Sequence, residues 1–297
     1  MRIGYLLARR QTKSSEVARS LLSLLRIPPE SCIPLVFIGG TVISAAMQRY
    51  LLESAQAARH FIGFNVGEAF ALATTLSLVF ANPRRRVPLN GSDITILLFS
   101  AIVWFIPHER GVYLSTTLAG LWFLFGSRSD HHLKGIGQIW LALSICELWG
   151  KIVFWLFYHV IEEFEVSFIY RVGQAYYNEI GITGANLSIR DDWSVVVLEG
   201  CSSFHNLSQT VLIWLSILKI ANKPACSAAF RALGVSACLV VTINVTRILA
   251  MLPSHEAYFF WHDGSGSTLV ALSSLAAAIV PILISVERSA CRLSPRL

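Results

Sequence analysis

Three polar side chains stand out in this largely apolar chain because their types could do chemistry together. Cys201 lies in LEGCSSFHNLSQT (residues 198–210), where a polar, acid-containing stretch turns apolar. Arg247 lies in INVTRILAM and His262 in FFWHDGSG. Cysteine supplies a nucleophile, histidine carries a proton, and arginine holds a developing negative charge. The neighbours of Cys201 favour reactivity. Ser202 or Ser203 can N-cap the following helix by accepting its unpaired backbone N–H groups. Cys201 would then sit at a helix N-terminus, whose dipole favours thiolate. Such sites lower a cysteine pKa from about 8.5 to between roughly 3.5 and 7.5. Gly200 permits close approach of another backbone.

Each member has a plainer reading. A membrane cysteine is commonly a small packing residue. Arg in a membrane helix costs roughly 2.5–3.5 kcal/mol at the centre but can snorkel near an end. Asn244 and Arg247 are three residues apart and share a helix face, which argues for a polar site facing the bundle interior. A histidine at a membrane boundary serves structural hydrogen bonding as readily as catalysis. His205 and His255 fall on the same side as His262, and either could assist. Glu199 reads first as part of a solvated loop and second as a substrate contact. The scattered cysteine and histidines lack the paired spacing of zinc ligands, so neither metal nor cofactor is called for.

The elements that must position these groups follow from composition. The chain has 297 residues, 54% hydrophobic and 14% charged, against roughly 25% charged in a soluble domain. The net charge of +6 forms no basic stripe, which excludes a nucleic-acid reading. Apolar stretches near 33–51, 61–81, 93–107, 111–127, 136–159, 203–221, 232–251 and 265–285 predict an all-α polytopic protein with about eight spans. With the N-terminus inside, seventeen of the 24 Lys and Arg fall in inner segments. The positive-inside rule then places both termini in the cytoplasm.

Residues 1–32 form a basic cytoplasmic segment suited to an interfacial helix rather than a cleaved signal. Residues 33–286 form the membrane domain and 287–297 a basic tail. The hydrophilic segment 160–200 faces outward, and ANLSIRDDWSVVVLEG predicts two short strands around the Asp191–Asp192 turn. Cys201, Arg247 and His262 then come from three successive helices and lie near one outer surface.

These motifs resemble those of the exosortase/archaeosortase family of prokaryotic membrane transpeptidases. That family's pattern is a cysteine in an E-x-C-S-G-like segment, an N-x-x-R segment on the next helix, and a histidine after the next outer loop. Here EGCSS, NVTR and HDGSG match, over roughly residues 60–285. Ser203 stands where the family often has Gly, and SSFHNL replaces a small, apolar continuation. The resemblance implies a multi-pass enzyme of a prokaryotic cytoplasmic membrane, with its site facing the periplasm or exterior. Its partners would be the lipid bilayer and secreted proteins ending in a recognition motif, a membrane helix and a basic cluster. Such tails are of the PEP-CTERM type in Gram-negative bacteria, where the pathway accompanies extracellular polysaccharide. Cys201 would form a thioester, Arg247 hold the oxyanion, and His262 act as acid and base. Two other expectations stand beside it: a noncatalytic component of polysaccharide export, and a small-solute transporter using Arg247 and Lys151.

Overall fold

The computed structural model describes residues 66–80, 90–104, 109–126, 131–190, 193–197 and 202–288. The span expected at 33–51, the segment 1–32 and the last residues of the tail lie outside them. So do the Asp191–Asp192 turn, Glu199 and Cys201.

The described chain is mostly helical. It comprises α1 (Val66–Phe80), α2 (Gly91–Val103), α3 (Glu109–Phe125), α4 (His131–Ser144), α5 (Gly150–Leu156) and α6 (Tyr158–Gly173). After a small sheet come α7 (Ser203–Ile220), α8 (Ser227–Met251), α9 (His255–His262) and α10 (Ser265–Arg288). Among the described residues, the expected spans apart from 33–51 overlap helices. Three of the described helices are long and apolar enough to cross a membrane: Leu133–Leu156, Ser227–Met251 and Ser265–Arg288. Helices α1 and α2, and Gly111–Phe125 of α3, are apolar but shorter.

Packing follows side-chain size. Helices α3 and α4 meet through Gly120 and Gly137. A Cβ on Gly137 would come within 2.8 Å of the Gly120 carbonyl oxygen and 2.9 Å of Phe123 Cβ. Small residues of this kind let membrane helices approach closely. A second apolar cluster joins α7, α8 and α10 through Ile213, Ile217, Val240, Ala278 and Ile282. Helix α7 stops at Asn222, whose φ of 51° lets the Lys223 N–H reach back to the Leu218 carbonyl. Asn tolerates this left-handed conformation, and Pro224 prevents continuation.

One span is interrupted. Between α4 and α5, Ile145–Trp149 forms a π-turn, a wider coil that is frequent at functional sites. It buries Cys146 and Glu147. The Glu147 carboxylate pairs with the Lys151 ammonium at 3.1 Å, and Cys146 Sγ lies 3.3 Å from Ser208 Oγ on α7.

The described part of the hydrophilic segment 160–200 holds more regular structure than its sequence implies. Strands β2 (Asn186–Arg190) and β3 (Trp193–Val196) pair antiparallel, as the β-branched runs predict. A third strand, β1 (Gly181–Thr183), pairs with β2 across a turn containing Gly184, whose φ is +60°. Helix α6 and this sheet bury Val166, Ile169, Leu187 and Val195 against Val245, Ile248, Leu249 and Met251 of α8. Trp193 Nε1 also donates to the Met251 carbonyl. The sheet therefore clamps the end of α8 that carries Arg247.

Cys226, the residue before α8, is disulfide-bonded, whereas Cys146 and Cys238 are free.

Candidate functional site

Helix α7 begins where the serines predict. Ser202 is its N-cap, and its hydroxyl accepts the Phe204 N–H. The cap has a partner that the sequence did not reveal. Glu165, on α6, takes the Ser202 hydroxyl at 2.7 Å with one oxygen and the Ser203 N–H at 2.6 Å with the other. A carboxylate at a helix N-terminus is favourable, but it also offsets the positive end of the helix. The thiolate stabilisation expected for Cys201 from α7 alone is correspondingly smaller.

Ser203 reaches the next helix. Its hydroxyl accepts a hydrogen bond from Asn244 Nδ2 at 3.0 Å, and both residues are buried, Asn244 at 2% exposure. One helical turn further along α8, half-buried Arg247 donates its Nε–H to the Trp261 carbonyl at 3.2 Å. Trp261 precedes His262 at the end of α9. The His262 Nδ1 lies 2.9 Å from Asp263 Oδ1. Its ring stacks on Tyr258, with centroids 4.8 Å apart and planes 13° apart. Tyr258 in turn meets the edge of Trp193 at 5.7 Å.

The fold thus gathers the surroundings of the three sequence-derived residues. Ser202 and Ser203, which follow Cys201 in the chain, are joined to Asn244. Arg247 shares a helix face with Asn244 and binds the residue before His262. Cys201 and Glu199 themselves lie outside the described residues. The alternative histidines are placed differently. His255 packs edge-on against Trp193 at 5.2 Å, and His205 Nε2 lies 2.9 Å from Gln209 Nε2. Among the described residues, no three His, Cys, Asp or Glu side chains gather as metal ligands would.

Two residues of this cluster escaped the sequence reading. Asp263 was visible as the neighbour of His262, and an adjacent acid that holds Nδ1 fixes the imidazole tautomer. Glu165 carried no such signal, being one of several acids in the outer segment and 37 positions from Ser202. No protein-family model, curated protein or solved structure shows a significant match to the chain. What the fold defines is a class: among the described residues, a mostly helical protein with three helices able to cross a bilayer and a small three-stranded sheet.

Proposed function

We propose that the protein is a membrane-embedded cysteine transpeptidase or protease of the exosortase/archaeosortase kind. In this reading it has about eight spans and two cytoplasmic termini, in a prokaryotic cytoplasmic membrane. It cleaves the C-terminal sorting tail of secreted proteins at the outer face. The observation that carries the reading is the pair of contacts Asn244–Ser203 and Arg247–Trp261. These link the EGCSS, NVTR and WHDG segments, which the sequence singles out on chemical grounds.

The Cys201 thiolate attacks the scissile carbonyl, forming a C–S bond and a tetrahedral oxyanion. With its Nε–H committed to Trp261, Arg247 offers its terminal N–H groups to that oxygen. Losing one such donor costs about 10²–10³ in rate. Collapse breaks the C–N bond and leaves a thioester. His262, with Nδ1 held by Asp263, gives the Nε2 proton to the leaving amine. It then takes a proton from the incoming amine or water, a role worth roughly 10²–10⁴. Substituting Cys201 by Ala should abolish processing of a tail-bearing secreted protein while insertion persists. Unchanged processing in that variant ends the proposal.

A second reading, solute transport, draws on the π-turn with its Glu147–Lys151 pair in a candidate span. Ionisable residues within membranes mark solute and proton paths. Transport predicts flux that depends on Glu147 and survives loss of Cys201.

A further inference from the structure

Glu165 makes two short hydrogen bonds, and both go to the residues that follow Cys201. Its Oε2 accepts from the Ser202 hydroxyl at 2.7 Å, and its Oε1 accepts from the Ser203 N–H at 2.6 Å. The first bond is to the N-cap side chain of α7 and the second to a backbone N–H that has no partner within the helix. The two bonds hold this turn against α6, which the sheet core anchors in turn through Val166 and Ile169. Across α7, the Ser203 hydroxyl is held by Asn244. The turn is thereby gripped from two helices. A carboxylate placed this way does more than cap a helix, because caps are ordinarily supplied by the N-cap residue itself, as Ser202 already does here.

We infer that Glu165 is a positioning residue for the nucleophile: it fixes the turn that immediately follows Cys201 in the chain, and with it the start of α7. The inference rests on the reading of Cys201 as nucleophile. A fork of two acceptors is needed, one for a hydroxyl and one for an amide. Glutamine can replace it in part, since its carbonyl still accepts from Ser203 while its amide faces Ser202. Alanine replaces neither bond.

The test uses the full-length protein in membranes and two readouts. The first is the alkylation rate of Cys201 by N-ethylmaleimide, followed by mass spectrometry of its peptide. The second is processing of a co-expressed secreted reporter that ends in a membrane helix and basic cluster. Glu165→Ala should speed Cys201 alkylation about fivefold, as the turn loosens. Processing should fall at least about tenfold. Glu165→Gln should stay within about twofold of the parent on both readouts, as should Glu163→Gln at an exposed site on the same helix.

Equal alkylation in Glu165→Ala and the parent overturns the inference, and so does a glutamine variant that behaves like alanine. If Glu165→Ala fails to accumulate, Glu165→Leu and Ser202→Ala give the same comparison against glutamine. Failure of the catalytic reading looks different. Processing would then survive Cys201→Ala, while the alkylation rates would still report on Glu165.

Discussion

The hydrogen bond between Ser203 and Asn244 joins α7 to α8, and its worth can be worked out in advance. Both partners are buried, at 7% and 2% exposure. A buried neutral hydrogen bond contributes about 0.5–1.5 kcal/mol net, and stranding either partner costs about 1–3 kcal/mol. Ser203→Ala and Asn244→Ala should each destabilise the protein by about 2 kcal/mol, the asparagine variant more because it also leaves a cavity. The double variant strands neither member of this pair. It should therefore be more stable than the sum of the single losses implies, with an interaction energy of about 1 kcal/mol. The assay is a double-mutant cycle by urea unfolding in detergent micelles, with Thr242→Ala, at an exposed position on α8, as reference. Additivity to within about 0.3 kcal/mol, the usual result for independent sites, would refute the coupling and with it the link between the two motifs.

Two further predictions concern the rest of the molecule. Lys151→Met removes the cation that faces Glu147, whose side chain is only 2% exposed. Breaking a buried pair costs about 3–5 kcal/mol, and half-exposure of Lys151 lowers the expectation to about 2 kcal/mol. Adding Glu147→Gln should recover at least half of that loss; no recovery on unfolding would mean that the pair is not what the π-turn protects. Orientation is open to direct measurement as well. If charge governs, a cysteine at exposed Ser194 is labelled on whole cells by an impermeant maleimide, and one at Lys223 only after permeabilisation. Labelling of both from outside would contradict the orientation read from charge.

What the sequence made legible was whatever depends on local pattern. Apolar runs located helices, three of them long enough to cross a membrane among the described residues, and the serines after Cys201 located the start of α7. The β-branched runs located β2 and β3. Strand β1 was missed because three residues are too few for alternation to register, and it forms only because Gly184 turns the chain back onto β2. Helix α6 was read as part of a hydrophilic loop. Its acids mask an apolar face, Val166 and Ile169, which acquires meaning only against α8. Glu165 was invisible for a similar reason, since nothing local separates a carboxylate that caps a distant helix from one in solvent. Asn244 and Arg247 were legible because a spacing of three on a helix is itself a geometric statement.

The position of Glu165 also changes how a thiolate would arise. From sequence, the helix dipole was the natural source of acidity for Cys201. With a carboxylate across the N-cap hydroxyl and the Ser203 N–H, much of that field is already engaged. On the proposed reading, activation then comes from a cation or base on another element, and the candidates are Arg247, which donates to the Trp261 carbonyl, and His262, with Nδ1 beside Asp263. That reading ties nucleophile reactivity to the docking of α7, α8 and α9, rather than to α7 alone.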